Sequence, residues 1–118
     1  MAVDITPKAG MHVYAPGSQY RPVTVKLAAD SPFRLDAPLE YPKPSLYTFK
    51  PLKELVLVYD APFELVAGIG LDPRRAVVTP LGPSEIPLAA SLDYQACDDR
   101  VCYLPESVPL EWNLPVAR

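Results

Sequence analysis

The chain contains two cysteines, Cys97 and Cys102, and a single histidine, His12, and these are the side chains equipped for redox or near-neutral acid-base chemistry. The cysteines bracket Asp98-Asp99-Arg100-Val101, a polar spacer suited to a turn. Aspartate carboxylates accept bonds from nearby backbone amides there, and an arginine stays solvated. If strands flank that turn, the two cysteines oppose each other at the mouth of a hairpin. Opposed residues of an antiparallel pair have Cα atoms about 4.5–5.5 Å apart, within the range of a disulfide.

Such a pair admits three readings: an exchangeable disulfide, a plain staple, or thiols that bind metal or stay unpaired. As a staple it is weak, because closing a loop of about 6 residues removes denatured-state entropy worth only about 2 kcal/mol. Short or exposed bridges are also the labile ones. For metal, two thiolates at this spacing need two further ligands, and His12 is remote in sequence. A Cys-His hydrolase meets the same shortage, since His12 sits within an aromatic strand pattern where a packing role is the simpler reading.

The elements that must position these residues are short. Sixteen prolines stand beside five glycines in 118 residues, and proline spaced so closely forbids long helices and central-strand interiors. A hydrophobic content of 49% excludes a disordered chain and suffices for one core, so residues 1–118 read as one domain. Eleven Lys and Arg against 14 Asp and Glu, net charge -3, leave no basic footprint for nucleic acid or an anionic membrane. No apolar run approaches the roughly 20 residues of a membrane span, so no membrane insertion is expected. Residues 1–10 lack the basic start and apolar stretch of a signal peptide, and an exported form would need a leader or upstream domain.

Strand patterns occur at 11–15 and at 21–28, where Val23, Val25 and Leu27 alternate with Thr24 and Lys26. Segment 31–50 reads as an irregular crossing with one short strand at 33–35. Residues 54–59 form the most apolar run and predict a buried strand, with 63–69 as its neighbour. Further strands are expected at 76–81, at 86–96 through Leu88, Ala90, Leu92 and Tyr94, and at 107–112. The expected core includes Val25, Leu27, Leu55, Leu57, Leu65 and Leu92. About seven to nine short strands in this length predict an all-β immunoglobulin-like β-sandwich, with a small barrel as the alternative.

A more specific likeness is carried by His12-Val13-Tyr14 followed by Pro16-Gly17, by Val58-Tyr59, and by the block from Leu92-Asp93-Tyr94-Gln95-Ala96-Cys97 to Cys102-Tyr103-Leu104-Pro105-Glu106, then Val108-Pro109-Leu110. These residues resemble the N-terminal periplasmic domain of the DsbD family of thiol:disulfide interchange proteins. The resemblance covers most of the chain, and its specific part is the Tyr-Gln-x-Cys to Cys-Tyr-x-Pro-Glu block. It implies an immunoglobulin-like fold, a periplasmic or otherwise extracytoplasmic setting, and no cofactor. It also implies a redox pair that takes electrons from a thioredoxin-like donor and passes them to oxidised proteins.

By the same resemblance Cys102 is the sulfur of the intermolecular mixed disulfide and Cys97 its resolving partner. The spacer here is one residue shorter than in the family pattern. Local charge agrees with the order, because Asp98 and Asp99 disfavour a thiolate on Cys97 while Val101 and Tyr103 add no like charge to Cys102. Domains of this kind cap the disulfide with an aromatic-tipped loop. The corresponding region is 47–54, where Phe49 and Leu52 are the candidate caps and Phe49 serves equally well as a core residue. Similar domains also occur fused to peroxiredoxin-like or thioredoxin-like domains. The competing function class is a non-catalytic sandwich that binds or spaces, with a structural disulfide.

Overall fold

A computed structural model of the chain describes residues 1–17, 20–49, 54–72 and 85–115. Among them there is no helix, and eleven strands make up the fold: β1 (Ala2–Ile5), β2 (His12–Tyr14), β3 (Thr24–Leu27), β4 (Phe33–Leu35), β5 (Ser45–Phe49), β6 (Glu54–Tyr59), β7 (Phe63–Val66), β8 (Ile69–Leu71), β9 (Glu85–Tyr94), β10 (Ala96–Cys97) and β11 (Glu106–Pro115). The protein is all-β, as its proline spacing predicts. The count exceeds the seven to nine expected, because β1 and β5 carry little apolar alternation and the expected 86–96 strand divides at Gln95 into β9 and β10.

Four antiparallel sheets result, in the orders β1-β7, β10-β2-β6-β5, β11-β9-β3 and β4-β8. In the four-stranded sheet β6 is flanked by β2 and β5. The expectation that 63–69 lies beside 54–59 is therefore corrected: β7 pairs with β1, Val3 opposite Leu65, and β8 with β4. Segment 31–50 likewise holds more order than expected. Its second half is β5, paired to β6 from Ser45↔Val58 to Phe49↔Glu54. The pattern is hard to read because β5 is an edge strand whose Leu46 is left exposed. The stretch before it is tied down by two phenols, with Tyr41 donating to the Val23 carbonyl at 2.8 Å and Tyr59 to that of Pro42 at 2.7 Å.

The long β9–β11 hairpin shows where prolines are tolerated. Pro109 lies on β11, an edge strand, and Pro87 lies on β9 beyond the four positions at which β3 pairs. Neither removes a donor that a central strand needs. The expected strand at 76–81 lies outside the described residues.

Strand alternation gives the four-stranded sheet two apolar faces. Val13, Ala15 and Tyr59 point into the main core with Val3, Val23, Val25, Leu65 and Ala90, against which Leu27, Leu57, Leu92 and Trp112 pack. Tyr14, Val56, Val58 and Cys97 form a second cluster, packed by Tyr20 and Tyr47. Leu55, expected in the core, is instead 72% exposed. It shares a face with Leu57 and Tyr59, but it stands at the start of β6, where the packing of the main core does not reach it. β2 belongs to both clusters and is buried at all three residues. It is bounded by Gly10, whose φ of 80° closes the turn in which the Met11 amide donates to the Lys8 carbonyl, and by Gly17 at φ 93°.

Candidate functional site

Cys97 and Cys102 are joined in a disulfide and form an antiparallel bridge. The hydrogen bonds on either side, Asp98 N–H to Val101 C=O and Tyr103 N–H to Ala96 C=O, both at 2.9 Å, leave the cysteines as the non-hydrogen-bonded pair between them. That is the pairing in which facing side chains come closest. The turn beyond is set by Asp98, whose Oδ1 accepts the amides of Arg100 at 2.8 Å and Val101 at 2.7 Å. Its Oδ2 accepts the Tyr103 hydroxyl at 3.2 Å. The two amide bonds, Val101's first, hold the Asp98 carboxyl below its ordinary range, and the hydrogen bond to Asp98, with its charge second, raises the Tyr103 phenol.

The two cysteines differ in exposure. Cys97 is fully buried on the second cluster's face of the sheet, whereas Cys102 is exposed. β10 explains the difference, since its Ala96 turns to the main core opposite Val13 and its Cys97 turns the other way opposite His12. Around Cys102 stands an apolar collar of exposed side chains, Val101, Tyr103 and Leu104. Behind it a cavity of about 670 Å³ opens between β2 and the β9–β11 hairpin, with Met11, Val13, Leu92, Ala96 and Leu104 in its walls.

Tyr14 joins the pair from below. Its hydroxyl lies 3.1 Å from Cys97 Sγ and 3.3 Å from Cys102 Sγ. A disulfide sulfur carries no hydrogen, so the phenol is the donor. The Tyr14 ring is stacked on Tyr20 at 4.7 Å and meets the edge of His12 at 5.7 Å. His12 in turn lies against the Tyr47 ring, with centroids 4.3 Å apart. Tyr47, on the far edge strand of the sheet, packs against the cluster that holds Cys97, and burial, with the carboxylates of Asp99 and then Asp98, raises its phenol.

Of the residues expected at the site, Cys97 and Cys102 are brought together as a hairpin-mouth pair. Phe49 holds the last ladder position of β5, but its side chain, like the whole of Leu52, lies outside the described residues. Within region 47–54 the aromatic ring seen on the disulfide side is that of Tyr47. His12, read from sequence as a packing residue, is packed and 2% exposed, and its Nε2 has no hydrogen-bond partner among the described residues. Tyr14 is the contact that sequence reasoning missed. The available signal was its position two residues after His12, which puts both on one face of a strand.

Among the described residues no group of three or more His, Cys, Asp or Glu is placed to hold a metal ion. No helix among them is long and apolar enough to cross a membrane. No protein-family model, no curated protein and no solved structure matches the chain.

Proposed function

We propose that this domain is a thiol:disulfide exchange module of the DsbD N-terminal kind, an immunoglobulin-like β-sandwich working in an extracytoplasmic compartment with thioredoxin-like partners. The observation that carries the reading is the asymmetry of the disulfide: Cys102 is open to a partner, while Cys97 is sealed inside the sheet under a tyrosine hydroxyl. An incoming thiolate reaches Cys102 Sγ, the sulfur–sulfur bond breaks, and the electron pair moves to Cys97, where Tyr14 offers a hydrogen bond to the developing thiolate. A staple needs no such difference between its ends. The exposed collar of Val101, Tyr103 and Leu104 supplies apolar surface on which a partner's active-site rim can rest while sulfur meets sulfur. The sandwich assignment is supported by the main core, which draws on β2 and β6 from one sheet and on β3 and β9 from another.

Trapping tests the reading. Each single cysteine variant is incubated with a thioredoxin-like protein that lacks its resolving cysteine and carries thionitrobenzoate in a mixed disulfide on the other, the group that leaves on exchange, and resolved on a non-reducing gel. Cys97→Ala is expected to accumulate a mixed disulfide through Cys102, and Cys102→Ala is not. Crosslinking through Cys97 would reverse the roles. If neither variant crosslinks, and glutathione leaves the disulfide of the unmodified domain intact, the structural-bridge alternative takes its place.

A further inference from the structure

We propose that His12 is the base that takes the proton from Cys97 when the mixed disulfide is resolved. This rests on the exchange reading above and assigns a role to a residue that the resemblance leaves without one. Three observations converge on it. His12 and Cys97 are direct cross-strand partners on β2 and β10, so their Cβ atoms share a face about 4.5–5.5 Å apart. His12 is 2% exposed and Cys97 0%, so bulk water does not serve the thiol. Finally, His12 Nε2 is buried with no hydrogen-bond partner among the described residues, a costly state for an imidazole nitrogen unless another state of the protein fills it. Opening the disulfide creates a new donor, the Cys97 S–H, on the face that Nε2 shares.

The other titratable groups around His12 are poor substitutes. Tyr14 on β2 and Tyr47 on β5 are phenols that stay protonated near neutral pH, Tyr47 with its phenol raised further. Asp98 in the turn after β10 is a carboxylate held below its ordinary range, hence a weak base, and it is occupied by the amides of Arg100 and Val101. Asp60, which follows β6, acts on His12 by charge and is exposed. Burial lowers His12 and outweighs the raising effect of Asp60 and Asp98, so the imidazole is neutral, the form in which it accepts a proton.

The step balances as follows. In the reduced domain the Cys102 thiol loses its proton to solvent, and the thiolate attacks a partner disulfide, joins one of its sulfurs and releases the other as a thiolate, which takes a proton from solvent. The Cys97 thiol then passes its proton to His12 Nε2, and Cys97 Sγ attacks Cys102 Sγ. The Cys97–Cys102 bond forms, the bond from Cys102 to the partner breaks, and its electron pair leaves on the partner's second sulfur. That thiolate takes up the proton from His12 or solvent. The domain dithiol is oxidised and the partner disulfide reduced.

Glutathione disulfide is the probe, mixed with the reduced full chain in rapid-reaction experiments that separate mixed-disulfide formation at Cys102 from its resolution by Cys97. His12→Phe, which keeps a ring against Tyr47, is expected to slow resolution by about 10²-fold or more and leave formation within a few-fold. It should also remove the rise in resolution rate with pH through the histidine range. Resolution at the wild-type rate in His12→Phe overturns the proposal. His12→Gln, a polar side chain without basicity, is expected to match His12→Phe and covers the case in which the latter does not fold.

A second arm needs no exchange at all. His12 is the sole histidine, so its NMR titration is unambiguous in oxidised and dithiothreitol-reduced protein. On reduction, the new S–H to Nε2 bond favours the neutral ring, and the His12 ionisation midpoint is expected to fall, equivalent to about threefold or more tighter holding of the neutral form. Reduced Cys97→Ala should lack that fall. An unchanged midpoint on reduction overturns the His12–Cys97 pairing. A falling midpoint with no reaction toward glutathione disulfide or a thioredoxin-like protein keeps the pairing and sinks the exchange reading instead.

Discussion

Tyr14 and Cys97 are 83 residues apart in sequence and 3.1 Å apart at hydroxyl and sulfur, both fully buried. The contact exists because β10 adds beside β2, so that Cys97 lands opposite His12 and next to the side chain two residues further along the same face. A phenol placed this way has little to bond in the disulfide and more once the bridge opens, since a thiol sulfur, and above all the thiolate formed from it, is the stronger acceptor.

Tyr14→Phe is therefore expected to shift the equilibrium with glutathione toward the disulfide. The loss of one hydrogen bond to the reduced sulfur, about 1 kcal/mol, corresponds to roughly a fivefold change. A titration against glutathione buffers at fixed pH reads it. A shift toward the dithiol would show that the hydroxyl serves the oxidised state.

Replacing both cysteines by Ala is expected to leave the fold intact. The bridge closes a loop of about 6 residues worth about 2 kcal/mol, whereas the main core of Val3, Val23, Val25 and Leu65 does not involve it. The cost also includes the packing of the buried Cys97 sulfur in the second cluster. Circular dichroism and urea unfolding of the double variant measure the loss. Wholesale unfolding at room temperature would speak for the staple.

His12 makes stability depend on pH in a definite direction. Its folded pKa lies below the ordinary 6.5 because burial disfavours the imidazolium. The unfolded chain then binds the proton more readily, so the contribution is fully present above the unfolded value and is lost as pH falls through 6.5 toward the folded value. Urea midpoints taken from pH 7.5 to 5 should decline in the wild type and decline less in His12→Phe. Equal slopes in the two proteins would contradict this.

Asp98 gives the turn its own acid sensitivity. Its carboxyl is held below 3.8 by the amides of Val101 and Arg100, so those bonds hold above that value and weaken as pH falls through the folded pKa. The protection of the Arg100 and Val101 amides, their exchange measured against the intrinsic rate, should fall on acidification in the wild type. In Asp98→Asn, whose side-chain oxygen accepts the same amides without titrating, exchange should follow only the intrinsic pH dependence.

Much was written in the sequence by itself. Its proline spacing excluded long helices, and local alternation located β2, β3, β4 and β6 and most of β9 and β11. The polar spacer 98–101 made the cysteines a hairpin-mouth pair, because turn chemistry and register are decided within six residues. Tertiary structure alone decided what depends on which strand adds to which. β7 joined β1 instead of β6, Leu55 fell at the end of β6 beyond the core that covers Leu57 and Tyr59, and β5 emerged from a stretch that reads as irregular because half of it faces outward. The same pairing chose which sulfur is buried and put His12, Tyr14 and Tyr47 around it. Strand alternation fixes only that two residues share a face, and the long-range addition of β10 to β2 determines which cysteine that face receives.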